Sequence, residues 1–384
     1  MDNVKDTFEK FFENRKEFST LNFSTERIKN ALNNVGFDEE RLGKIVHIAG
    51  TNGKGSTSYF IAQMLDRFGF KTALYTSPHI KNITERIKLN LIDIDEKSFY
   101  LEFSGLKDII LKNNLTFFEG LTLIALKIFS EYLPDYTILE TGMGGRLDAT
   151  NVVERKLPVI TSISQDHTTF LGSNIFDILW EKLSIIKDND TFFVGHNKNF
   201  IYKKIAEMLP DKRMKLVDLT EIEKISDIYP KPYSYNYLLA RDVSKYLLGR
   251  EIPLYRDLKL PPCRIEKIGR FWLDGSHNPS GIINTMGIFN ADTIIFSSTQ
   301  ERPLLKMIAI LKTKFKNIII TEIPENERTI SIDNIGSIDG VIKIKDPFEA
   351  INKSIDISNK SDIVVMGSFY LCAYLREFLK RFCE

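Results

Sequence analysis

The chain has 384 residues, enough for two or three domains and a sizeable core. Hydrophobic residues make up 43% and charged residues 27%, an ordinary globular balance, and the net charge of +1 gives no electrostatic case for nucleic acid or an anionic membrane. Three scattered cysteines, Cys263, Cys372 and Cys383, exclude a disulfide framework or a zinc site and fit a reducing, cytoplasmic setting. The N-terminus shows no secretory pattern, and no apolar run approaches the roughly 18 residues of a membrane span.

In chain order, short apolar runs alternate with helical patterns, which predicts largely parallel α/β sheets. "KIVHIAG" (44–50) reads as a buried strand, and residues 54–68 read as a helix with Phe60, Ile61, Met64, Leu65 and Phe68 on one side. "KTALYTS" (71–77), "DYTILE" (135–140) and "LPVITSI" (157–163) read as further strands. The Pro-rich stretch "IPLYRDLKLPPCR" (252–264) reads as a linker. Beyond it "RFWLD", "DTIIFSS", "KNIII" and "SDIVVMG" restart the alternation. The expectation is a P-loop-type, mostly parallel first domain over 1–257 and a smaller Rossmann-like α/β domain over 258–384.

The first strand runs into Gly50-Thr51-Asn52-Gly53-Lys54-Gly55-Ser56-Thr57. This is not the usual GxxxxGK[ST] loop: the first glycine is too close to Lys54, and Gly55 separates the lysine from the hydroxyls. The physics still holds. Glycines let backbone N–H groups face phosphate oxygens, and the following helix aims its positive end at them. Lys54 can neutralise the terminal phosphates, and Ser56 or Thr57 can reach a divalent cation.

Three more polar clusters follow predicted strands. "TSPHIKNITERI" offers Ser77, His79, Glu85 and Arg86; "LETGMGGRLDATN" offers Glu140, Arg146 and Asp148; "SISQDHTTFLG" offers Asp166 and His167. Ligands in open α/β sheets sit beyond the carboxyl ends of strands, so these clusters are expected to converge on one mouth. Ser77, Glu140 and His167 would form an oxygen-and-imidazole set suited to Mg²⁺ or Mn²⁺ with phosphate. His47 is expected in the strand before the loop, and His196 carries no readable signal.

Taken together, "GTNGKGS", "LYTSPH" with "ERI", "TFFEGLTLIAL", "LETGMGGRLDATN", "TSISQDHTTFLG", "EKLSIIK", "LDGSHNP" and "GSFYL" resemble, in order, the folylpolyglutamate synthase and dihydrofolate synthase family within the Mur ligase superfamily. The resemblance implies an ATP-dependent amide ligase: a carboxylate of a pterin or folate molecule attacks the γ-phosphate, and the amine of L-glutamate then attacks the acyl phosphate. It implies phosphate binding by residues 50–57 with Lys54, metal ligation by Ser56, Ser77, Glu140 and His167, and a carbamylated lysine at Lys182. In the second domain it implies nucleotide contacts from Arg264 and Asp274 and a catalytic His277, with Asn236 near the adenine. His79, Arg86 and Ser368 are candidate substrate contacts, and a monomer is expected. The chain departs from the family pattern at "KPYSYN", where a His-Gln pair often precedes the asparagine, and at Cys263, where glycine is common. Two alternatives stand beside this reading: a Mur-type ligase with a different acceptor, and a non-catalytic nucleotide-binding regulator.

Overall fold

The computed structural model describes residues 11–12, 24–166, 172, 174–188, 190–324 and 326–383. By packing, the chain divides into two compact units. The first comprises 1–164, 173–228 and 233–259, and the second comprises 165–172, 229–232 and 260–384. The expected division at 257/258 lies beside the boundary at 259/260, and two short segments from earlier in the chain group with the second unit.

The first unit is built on an eight-stranded sheet in the order β4-β3-β2-β5-β1-β6-β7-β8. Its strands are β1 Lys44–Ala49, β2 Thr72–Tyr75, β3 Ile87–Leu89, β4 Ile92–Asp93, β5 Tyr136–Glu140, β6 Lys156–Ile160, β7 Thr191–Val194 and β8 Arg213–Leu216. The run from β2 to β8 across the sheet is parallel, while β3 and β4 add an antiparallel edge. Parallel strands covered on both faces become continuous apolar runs. This is why β2 and β5 are buried at every residue and β1 at all but its first.

The helix Lys54–Asp66 returns from β1 and packs against the helix Tyr233–Leu248, with the Phe60 and Tyr237 rings edge to face at 5.3 Å. One apolar core gathers Tyr75, Phe99, Phe103, Leu121 and Phe129, and another gathers Ile160, Leu179, Leu183, Phe192 and Val194. The helix Phe117–Tyr132 in the first core opens with a capping box. The Thr116 hydroxyl accepts from the Glu119 amide, and the Glu119 carboxylate accepts from the Thr116 amide.

The second unit carries a six-stranded sheet in the order β13-β12-β11-β14-β10-β9. The strands are β9 Glu266–Ile268, β10 Phe271–Asp274, β11 Ala291–Phe296, β12 Asn317–Ile320, β13 Val341–Lys343 and β14 Asp362–Met366, all parallel except the edge strand β9. Its core includes Ile294, Phe296, Met307, Leu311, Val364 and Met366. The stretch 252–264 forms neither helix nor strand. The observed strands end two or three residues before the expected ones at 77, 163 and 298, because the ends of those runs turn out of the sheet.

Candidate active site

In the first unit, β2, β5, β1 and β6 are adjacent and parallel, so the four loops at their carboxyl ends share one rim. Strand order thus brings together the loops after β1, β2 and β5, whereas Asp166 groups with the second unit and His167 lies outside the described residues. His47 sits in β1 as anticipated, buried, with Nε2 2.7 Å from Thr150 Oγ1.

The loop after β1 is pinned by its neighbour β6. The Thr51 amide donates to Ser162 O (2.7 Å), the Thr51 hydroxyl to Ser164 O (3.0 Å), and the Thr161 hydroxyl to Asn52 O (2.8 Å). Gly53 takes φ +91°, a left-handed conformation that costs other residues free energy, and its carbonyl accepts from the Thr57 amide (2.9 Å) to start the helix. Asn236 lies directly over it: a Cβ on Gly53 would fall 2.5 Å from Asn236 Oδ1. The Gly53→Ala variant is thus expected to lose nucleotide affinity by about tenfold and about 1–2 kcal/mol of stability, because it strains the turn and displaces Asn236. Titration calorimetry with ADP checks this, and an unchanged Kd would separate Asn236 from nucleotide binding.

Two lysines meet at one carbonyl. Lys54 Nζ donates to Gly50 O at 3.2 Å, and Lys182 Nζ donates to the same oxygen at 2.9 Å. Lys182 is 3% exposed. Burial first, and then the charge of Lys54, push its ammonium down to a pKa of about 7.

Glu140, the last residue of β5, is 4% exposed. Its Oε2 accepts from the Ser77 amide (3.2 Å) and lies 3.5 Å from where a Cβ on Gly55 would be. The neighbouring Ser56 is buried. A buried carboxylate beside the loop, with Ser56 and Ser77 at hand, is a hard-oxygen set. It fits Mg²⁺, which takes few protein ligands and completes its shell with water and phosphate oxygens. Among the described residues no three His, Cys, Asp or Glu side chains gather as a metal cluster, and His167 lies outside the described residues.

Two expected substrate contacts turn toward each other. Arg86 Nε donates to His79 Nδ1 (2.9 Å), and the Arg86 guanidinium lies over the Phe117 ring at 5.4 Å, with the residue only 2% exposed. Glu85 holds the turn by accepting from the amides of Ile80, Lys81 and Asn82.

The second unit presents its own cluster around the turn after β10. Asp274 is fully buried and accepts from the amides of Ser276 (3.0 Å) and Ile265 (3.1 Å), which ties this turn to the residue after Arg264. Gly275 is the only residue type that fits between them: a Cβ there would fall 2.7 Å from an Arg264 guanidinium nitrogen and 2.6 Å from the Phe369 ring. His277 Nδ1 is 2.9 Å from Gly275 O, and its Nε2 is 3.8 Å from Asp166 Oδ2. Asp166 also accepts from Asn278 Nδ2 (2.9 Å) and pairs with Arg302. Ser368 is buried and accepts from the Tyr370 amide (3.1 Å), so it caps the last helix.

Sequence reasoning missed Arg302. "TQERPLLKM" reads as the polar start of a surface helix, and nothing in it marks an arginine that burial drives to a pKa of about 10. It also missed His196, whose ring stacks on Tyr235 at 4.1 Å, beside Asn236 in sequence.

Residues 48–272 match the Mur ligase middle domain. The dihydrofolate synthase/folylpolyglutamate synthase of Buchnera aphidicola (subsp. Schizaphis graminum) is 31% identical over 361 residues, covering 84% of this chain and 85% of that protein. The chain belongs to the dihydrofolate synthase/folylpolyglutamate synthase family. It is an ATP-dependent carbon–nitrogen ligase. The same fold is found in Escherichia coli FolC in complex with DHPP and ADP, with a TM-score of 0.85, 23% identity and coverage of 99% and 98% of the two chains. It recurs in a bifunctional folylpolyglutamate synthase/dihydrofolate synthase with Mn, AMPPNP and L-glutamate bound, with a TM-score of 0.80, 22% identity and coverage of 96% of each chain.

Proposed function

We propose that this chain joins L-glutamate to the carboxylate of a dihydropteroate or of a reduced folate, at the expense of ATP, through an acyl phosphate. The observation that carries the reading is the meeting of Lys54 and Lys182 on the Gly50 carbonyl, with the Glu140 carboxylate over Gly55.

The loop amides and Lys54 bind the terminal phosphates and neutralise charge as it moves onto the leaving ADP. Glu140 with Ser56, Ser77 and His167 would hold a bound Mg²⁺ or Mn²⁺, which would supply further neutralisation there. Lys182, being neutral for much of its time near pH 7, is chemically ready to take up CO₂ as a carbamate, which replaces a buried cation with an anion. Asn236 borders the nucleobase side. Arg264 and Asp274 bind nucleotide, and His277 acts at the acyl phosphate. The substrate carboxylate displaces ADP from the γ-phosphorus; the glutamate amine then displaces phosphate from the acyl carbon and loses a proton. Three free cysteines, two of them buried, suit the reducing cytoplasm.

ADP release with Mg-ATP and L-glutamate tests the reading, run in parallel with dihydropteroate, with tetrahydrofolate and with neither. Release that needs an acceptor is expected, and the acceptor that works assigns the synthase activity, or both activities. Release independent of either acceptor would overturn the folate assignment.

A further inference from the structure

The segment that leaves β5 at Glu140 does more than deliver that carboxylate. It runs on as Gly145-Arg146 and docks against the end of the helix Ile175–Leu183, which carries Lys182 in its last turn. The last carbonyls of a helix have no partner within it. Here the Arg146 amide donates to Glu181 O at 2.9 Å. The Arg146 side chain then grips the same residue, with Nε and a terminal nitrogen 3.0 and 2.9 Å from Glu181 Oε1. Its guanidinium lies over the Trp180 ring at 4.7 Å. The approach requires glycine at 145: a Cβ there would stand 2.7 Å from Glu181 O and 3.2 Å from Lys182 Cα. Asn151 anchors the arginine from behind, donating from Nδ2 to Arg146 O at 3.0 Å.

From these contacts we infer that Arg146 is a positioning residue for Lys182: its grip on Trp180 and Glu181 fixes the helix end from which Lys182 reaches the Gly50 carbonyl. The inference rests on the role of Lys182 proposed above. Ile178, Leu179 and Leu183 are buried, so the helix forms without Arg146. What the arginine removes is the rotation and slide of the final turn, and misplacement of a catalytic group is costly in rate, on the order of a hundredfold per ångström. The backbone bond from the Arg146 amide survives side-chain replacement, so a fraction of that loss is expected.

The test is steady-state kinetics of Arg146→Met, Glu181→Gln and Arg146→Lys, with thermal melts, in wild-type and Lys182→Met backgrounds. Arg146→Met is expected to lower kcat by about tenfold with KM for ATP within about twofold, because alignment is lost and uniform binding is not. Glu181→Gln reproduces part of this, the double variant is no worse than Arg146→Met, and Arg146→Lys recovers a share because it keeps the charge. In the Lys182→Met background Arg146→Met is silent; a merely structural arginine would still cost rate there. Wild-type kcat in Arg146→Met, or an equal loss in both backgrounds, overturns the inference. Full turnover by Lys182→Met alone would instead overturn the reading of Lys182, so the two failures are told apart.

Discussion

Lys54→Ala is expected to lower acceptor-dependent ADP release by about 10²–10³-fold while the protein stays folded. Lys54 opens the helix after the glycine-rich loop proposed to bind phosphate, and its Nζ rests on Gly50 O at 3.2 Å. Phosphoryl transfer offers little covalent work for a protein, so fixed positive charge at the terminal phosphates is most of what the loop contributes. Stability is expected to move the other way. Alanine is the best helix former, and Lys54 is only partly buried. Removing it also relieves repulsion on Lys182, whose ammonium Lys54 disfavours. The melting temperature is therefore expected to hold or rise. Rapid-quench measurement of a single turnover, beside a melt, checks both halves. Wild-type turnover in the purified variant would dismiss the loop assignment.

Much of the first unit's candidate site was legible because its signals are local. Strand, glycines, lysine, hydroxyls and helix occur in contiguous order from Lys44 to Asp66, and the physics that needs them acts over the same few residues. Glu140 and Ser77 were legible as strand-end residues, and their meeting follows from β2 and β5 being neighbours. What could not be read is set by tertiary packing. That Asn236 covers Gly53 depends on how the helix Tyr233–Leu248 crosses the loop helix. That Arg302 is buried against Asp166 depends on two segments 136 residues apart in sequence. His79 and Arg86 look alike in sequence as polar groups near a strand end, yet one hydrogen bond commits them to each other. Ser368 shows the reverse case: a Gly-Ser turn before a helix serves equally as a ligand contact and as a cap, and here the hydroxyl is on the Tyr370 amide.

Lys182→Met is expected to lose about 10²-fold or more of turnover and yet to melt higher than wild type at pH 6, by about 2–6 °C. Both effects come from one buried amine. Its pKa in the folded protein is about 7, against about 10.4 for a free lysine, so burial makes the charged form costly. Between those two values the unfolded chain holds the proton and the folded one releases it. Stability therefore rises as pH climbs from about 7 toward 10, and the full cost of the charge is carried below 7. Lys156 is likewise held at about 7, by burial and then Lys187, so Lys182→Met should flatten the pH dependence of melting without abolishing it. The same low pKa leaves a neutral amine that can add CO₂, forming an N–C bond and releasing one proton. Wild-type turnover should then fall in CO₂-depleted buffer, return with bicarbonate, and be accompanied by a carbamate carbon resonance from ¹³C-labelled bicarbonate that Lys182→Met lacks. Turnover indifferent to CO₂, with no such resonance, would leave the lysine acting as an amine. Turnover undiminished in Lys182→Met would remove it from the site altogether, and leave its bond to Gly50 as part of the fold alone.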